Sequence, residues 1–181
     1  GYNRRGSLLM QQRRYEEACN DFDKAVECDS SYIPGFFNRA LVHSYMHRPM
    51  LSLSDFDRVL ELDSTSSLGY FNRAIVRTEI GDYNRALEDF NSVAHYSPNN
   101  VLVYYNRAQL HIQLGDINSA IADYTRAIEL YPDFANAYLG RSYLRYLLRD
   151  YKGSRNDKQI AERKIAEYKS RLNDTTYSIY A

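Results

Sequence analysis

With 181 residues, 44% of them hydrophobic and 25% charged, the chain has room for one ordinary domain or a stacked array, and composition does not choose between them. Lys plus Arg equals Asp plus Glu at 23 each, so no global charge draws the chain to nucleic acid or an anionic membrane. No apolar run approaches the roughly 20 residues needed to span a bilayer, and the N-terminus carries no signal pattern, so no membrane partner is expected. The charge is unevenly spread, with 13 basic and 18 acidic residues in 1–134 against 10 and 5 in 135–181. Cys19 and Cys28 fall on different faces of one predicted helix and suit neither a disulfide nor a CxxC site. The start at Gly1-Tyr2-Asn3 falls inside a repeat and reads as the start of an excised piece, which leaves the compartment open.

A period of 34 residues organises the chain. Residues 1–32, a first unit short of two positions, place Tyr2 at position 4, Gly6 at 8, Ala18 at 20 and Phe22 at 24. Residues 33–66 repeat this with Phe36, Ala40, Ser52 and Phe56, and residues 67–100 with Tyr70, Ala74, Ala86 and Phe90. Residues 101–134 follow with Tyr104, Ala108, Ala120 and Tyr124. Residues 135–168 keep Tyr138, Ser142 and Ser154 but carry Lys158 at the aromatic position. Positions 4, 8 and 11, then 20, 24 and 27, recur at helical intervals, so each unit predicts two amphipathic helices whose small residues allow close approach. Gly81 and Gly115 suit the end of a first helix, with Asp82 and Asp116 capping the second. Pro98 and Pro132 fall where second helices should stop, and Pro49 suits a first turn. Tyr151, Ala161, Ile165, Tyr168 and Leu172 predict that the last helix is prolonged to about 172 as a cap, leaving 173–181 as a tail.

A small residue at 8, Ala or Ser at 20, an aromatic at 24 and Pro at 32 together resemble the tetratricopeptide repeat, over about 168 of the 181 residues. The resemblance implies an all-α, right-handed solenoid of five helix-turn-helix repeats with a C-terminal capping helix and a concave groove lined by the first helices. One departure stands out. Position 7, usually Leu in the family, holds Arg5, Arg39, Arg73, Arg107 and Arg141, each matched sixteen residues later by Asp21, Asp55, Asp89, Asp123 and Asp157. An exposed binding ladder would account for these charges, but a pair bridging the two helices of one unit accounts better for partners that never vary separately.

The same resemblance implies where a partner would sit. Asn38, Asn72 and Asn106 recur at position 6 of the groove face, where an amide can both donate to and accept from an extended ligand's backbone. Arg4 and Gly140 replace Asn in the end units, leaving three rungs. Positions 5, 9 and 12 share that face and supply Phe37 and Leu41, Phe71 and Ile75, Tyr105 and Gln109, and Leu139 and Tyr143, as candidate apolar contacts. Neighbouring first helices covering those side chains is the plainer account of the stripe. Family members that clamp chaperone tails use Lys at 5, Asn at 9, Asn at 6 of the next repeat, and Lys at 2 with Arg at 6 of the third. Here only the Asn at 6 is met, so a chaperone C-terminal tail is not the expected partner.

Other functions find less in the sequence. His43 and His111 sit at position 11 of separate units and His47 and His95 near helix ends, without metal-ligand spacing. No phosphate loop or nucleophile elbow is present, so neither catalysis nor a cofactor is expected. Arg141, Arg145, Arg149, Lys152, Arg155 and Lys158 near Tyr143 and Tyr146 could hold a single strand, but interleaved acids weaken the field and nucleic acid is not the expected partner. The sequence therefore points to a scaffold that binds a protein or peptide in its groove. The alternative is a structural spacer or self-assembling array with no ligand of its own.

Overall fold

The computed structural model describes residues 1–180, with side chains described through residue 174. All its regular structure among those residues is helical: α1 (Tyr2–Gln11), α2 (Tyr15–Cys28), α3 (Ile33–Tyr45), α4 (Pro49–Leu62), α5 (Ser67–Glu79), α6 (Tyr83–Tyr96), α7 (Val101–Gln113), α8 (Ile117–Leu130), α9 (Ala135–Leu147) and α10 (Tyr151–Tyr180). The chain divides into two compact units, Gly1–Pro98 and Asn99–Ala181. In the first, α1/α2, α3/α4 and α5/α6 form hairpins, α2 packs on α3 and α4 on α5, and the first helices α1, α3 and α5 touch in series. In the second, α7/α8 and α9/α10 form hairpins and α8 packs on α9.

The small and aromatic positions set the packing. Phe22, Phe56 and Phe90 are at most 1% exposed, and a Cβ on Gly6 would lie 2.7 Å from the Phe22 ring. Where the small residue is Ser, its hydroxyl is satisfied: Ser52 donates to the Ala40 carbonyl at 2.8 Å and Ser142 to the Ser154 carbonyl at 2.8 Å.

The Arg and Asp pairs bridge the two helices of each hairpin. Nε and Nη2 of Arg39 reach the two oxygens of Asp55 at 2.8 Å each, and Arg5, Arg73, Arg107 and Arg141 grip their own Asp the same way. The carboxylates are at most 8% exposed. Beside Arg5 the Asp21 carboxyl is held below the usual range by that hydrogen bond. Two further contacts escape the sequence pattern. Nη1 of Arg39 donates to Asp23 (2.8 Å), that of Arg73 to Asp57 (2.7 Å) and that of Arg141 to Thr125 (3.0 Å), tying α3, α5 and α9 to the hairpins before them. Each guanidinium also lies 5.5 to 5.8 Å from the aromatic ring three residues before it, from Tyr2 under Arg5 to Tyr138 under Arg141. The aromatic of position 4 thus serves its own helix's Arg.

Position 11 brings a second group to the same carboxylate. Arg77 donates to Asp89 at 2.8 Å and Arg145 to Asp157 at 2.9 Å, whereas Nε2 of His43 stands 3.8 Å from Asp55 and that of His111 3.6 Å from Asp123. His43 is 7% exposed, its Nδ1 has no partner, and burial pushes its pKa down.

Two expectations need correcting at the helix ends. Asp116 caps α8 by accepting from Ser119 N–H at 3.1 Å, but Asp82 makes no side-chain cap to α6. Gly81 and Gly115 do take positive φ, at 79° and 77°, yet the corresponding turns elsewhere place Arg13 (59°), His47 (55°) and Arg149 (63°) in the same left-handed region. The last helix does not stop near Leu172 but runs to Tyr180, because no Gly or Pro follows Gly153 to end it.

Asp89→Ala removes one carboxylate from two largely buried guanidinium groups and should cost about 3 to 5 kcal/mol in urea unfolding, whereas Glu17→Ala, at the exposed Arg14 pair, should leave the midpoint unchanged. Glycine adopts positive φ without a Cβ penalty, so His47→Gly should raise stability by about 0.5 to 1 kcal/mol in the same assay. His43 has a folded pKa below its unfolded value, so the unfolded chain binds the extra proton. Stability is full above about pH 6.5 and falls as the pH drops below it. His43→Leu should flatten the decline between pH 7 and 5.5, read from melting temperature.

Candidate functional site

The first helices carry the candidate groups, and each compact unit presents its own set. In residues 1–98, α3 and α5 lie side by side and bring together Phe37, Asn38 and Leu41 with Phe71, Asn72 and Ile75. In residues 99–181, α7 carries Tyr105, Asn106 and Gln109, and α9 carries Leu139 and Tyr143.

The amides are half-buried and already partly engaged. Nδ2 of Asn72 donates to the Leu68 carbonyl at 2.9 Å and Nδ2 of Asn106 to the Leu102 carbonyl at 2.8 Å, each one turn back in its own helix. Nδ2 of Asn38 instead donates to Oδ1 of Asn3 on α1 at 3.0 Å. An amide nitrogen has two hydrogens, so each rung keeps one donor and its Oδ1 acceptor. The missing fourth rung has a steric cause. A Cβ at Gly140 would run into the ring and hydroxyl of Tyr124, which stands where earlier hairpins have Phe. Burial pushes the pKa of that phenol up to about 12.

The apolar candidates divide by exposure. Phe37 packs edge-on against Phe56 at 5.7 Å, Phe71 against Phe90 at 5.9 Å, and Tyr105 lies between Tyr124 (5.8 Å) and Phe134 (4.8 Å). Phe37 and Leu41 pack on the cluster of Ala40, Phe56 and Val76. These side chains, with Ile75, are half-buried and show a ligand only an edge. Gln109, Leu139 and Tyr143 are exposed, Tyr143 at 59% and the neighbouring Tyr146 at 58%.

Two features went unread in the sequence. Leu68 and Leu102, at position 2, are 64% and 53% exposed and lie one turn before Asn72 and Asn106, so apolar surface flanks the amides. Their spacing of four from the Asn residues carried the signal. Asn3 was likewise legible only as position 5 of the first unit. Of the basic cluster near the C-terminus, Arg141 and Arg145 are committed to Asp157, which leaves Arg149, Lys152, Arg155 and Lys158 facing water. Among the described residues no three His, Cys, Asp or Glu side chains are grouped to hold a metal, and no helix is long and apolar enough to cross a membrane.

Comparison with known proteins agrees with the repeated helix hairpins. Tetratricopeptide repeat family models match residues 1–32 and 101–134. No curated protein matches the sequence. Among solved structures the fold is similar to that of MamA, with a TM-score of 0.87 at 15% identity over 91% of this chain and 96% of that one. It is also similar to YrrB, described as a TPR protein with an unusual peptide-binding site (TM-score 0.77, 15% identity, 97% and 90% covered). PilF of Pseudomonas aeruginosa aligns with a TM-score of 0.80 at 18% identity over 99% of this chain and 88% of that one. Proteins of this fold are in general non-enzymatic scaffolds for protein–protein interaction. Ten helices paired as hairpins and the two matched repeats show a chain built of tetratricopeptide repeats.

Proposed function

We propose that the first-helix faces of this scaffold bind an extended peptide or a helix of a partner protein. In residues 1–98 the contacts are Asn38 and Asn72 toward the ligand backbone, with Phe37, Leu41, Phe71 and Ile75 beside them. In residues 99–181 they are Asn106 with Tyr105 and Gln109, and Leu139 with Tyr143. The observation that carries the reading is the amide at position 6. In α5 and α7 it is half-exposed, held by its own helix, retains an acceptor and a donor, and is flanked by an exposed Leu. Intrahelical anchoring fixes the amide before binding, so little side-chain freedom remains to be lost. The peptide-binding site attributed to YrrB lends the reading an analogue of the same fold. The expected ligand is a protein segment without the free carboxylate that a chaperone-tail clamp requires.

The test compares wild type with Asn38→Ala/Asn72→Ala/Asn106→Ala in a pull-down from lysate of the source cell, read by mass spectrometry, with circular dichroism confirming equal helicity. Proteins retained by the wild type should fall at least tenfold with the triple variant. Identical retention would move the assignment to a spacer or self-assembling array.

A further inference from the structure

We infer that α9 and α10 form a docking slot for an acidic amphipathic helix of a partner protein, seated where the repeat pattern would place one more first helix. The inference rests on the reading of first-helix faces as docking surfaces and names the partner for the last of them.

The shape of the slot follows from the preceding hairpins. In residues 1–98 each following first helix lies against both helices of the hairpin before it: α3 touches α1 and α2, and α5 touches α3 and α4. Val42 of α3 joins the cluster of Cys19 and Phe22 from α2, and Val76 of α5 joins Phe56 of α4. Gly35 and Gly69 sit so close that an added Cβ would lie 2.9 Å from Val26 and 3.0 Å from Leu60. Positions 21, 24 and 28 of a second helix, with positions 5, 9 and 12 of its first helix, thus make a seat shaped for a helix.

At α9 and α10 that seat is bare among the described residues. Leu139, Tyr143 and Tyr146 are exposed, whereas their counterparts Phe37, Leu41 and Ser44 on α3 are half-buried. The α10 side has changed its chemistry. Where α2 has Cys19, Phe22 and Val26, α10 presents Arg155, Lys158 and Glu162, all exposed. Lys152 and Arg149 extend the basic edge, and the nearby acid Asp150 is turned back to accept from Gly153 N–H at 2.9 Å. An occupant therefore needs apolar or aromatic residues at helical spacing toward α9 and carboxylates toward Arg155 and Lys158.

That requirement argues against a second copy of this chain stacking head to tail. Its α1 would enter the seat carrying Arg4, with Arg5 already paired to Asp21, and no acidic residue, so Arg4 would meet like charge.

The experiment is a selection from a phage-displayed library of single amphipathic helices, with both apolar and flanking positions varied, against the full chain. Helices with a Leu, Phe or Tyr stripe and a Glu or Asp flank should be enriched. Their synthetic peptides should weaken at least tenfold on Arg155→Glu/Lys158→Glu and on Tyr143→Asp, all exposed positions whose variants should keep wild-type melting temperatures. Asn38→Ala/Asn72→Ala/Asn106→Ala should leave this binding unchanged, so failure of the amide reading is separable from failure of the slot. Three results overturn the inference: no enriched helix depends on these residues; the enriched flanks are basic or neutral and indifferent to charge reversal; or sedimentation shows the chain dimerising through Tyr143 and Tyr146.

Discussion

Each hairpin depends on a carboxylate placed where water barely reaches it. An Asp at most 8% exposed is costly to bury charged unless both oxygens are satisfied, and the side-on guanidinium of position 7 does that with two parallel donors. The fork geometry fixes more than charge. It holds the first helix in one rotation against the second, and the remaining Nη1 fixes it against the preceding hairpin at Asp23, Asp57 and Thr125. A lysine could neutralise the carboxylate but could not grip two oxygens in a plane while reaching a third partner. With Arg at 7 locked inward, the neighbouring position 6 and the face one turn away at 2 and 9 are turned toward the ligand side.

The bridge between the two helices of a hairpin was legible because its two ends keep a spacing of sixteen in all five units and neither varies alone. The same rule explains what was not legible. Position 25 changes from Asp23 and Asp57 to Thr125, and position 11 from Leu9 to His43, Arg77, His111 and Arg145, so no constant pair marks their contacts. These contacts depend on which atoms come within reach once the helices are docked, and a hydroxyl or a carboxylate can serve equally at the Nη1 site. Helix ends failed for a related reason. Gly81 and Gly115 announce a left-handed turn, but Arg13, His47 and Arg149 adopt it because the flanking helices impose it. Asp82 has the residue type of a cap without the bond, standing instead 3.7 Å from Arg85.

The candidate site was legible as a face but not as a set of exposures. Spacing at 5, 6, 9 and 12 put the named residues on one side of each first helix. It could not separate Phe37, packed edge-on to Phe56, from Tyr143, more than half exposed. That difference is set by neighbours. Nor could spacing show that Asn72 and Asn106 spend one donor on their own helices, since an Asn side chain in a helix can reach the carbonyl one turn back or point outward with equal ease. The pairing of Gly140 with Tyr124 is the clearest case of compensation. The ring and hydroxyl of Tyr124 together fill the room a side chain would need at the next position 6, so the Gly there goes with the packing and is not a sign that the face has lost its use.

In a repeat protein each hairpin is completed by its neighbours, so a hairpin whose second helix has turned charged has to solve a problem the others do not. A hairpin that merely needed capping would be expected to turn polar on both helices of its open side. Here the two helices diverge. The second helix replaces Phe with Lys158 and aliphatic residues with Arg155 and Glu162, making it a poor seat for another repeat. The first helix keeps Leu139, Tyr143 and Tyr146 in water at an energetic disadvantage that simple solubilisation would have removed. Tyrosine is the residue that reconciles the two demands, because its ring offers apolar area while its hydroxyl tolerates water when the seat is empty. A surface that is basic on one wall and aromatic on the other is selective in a way that a uniformly apolar end is not: it rejects the chain's own Arg-bearing first helix by charge while still presenting area to an acidic one.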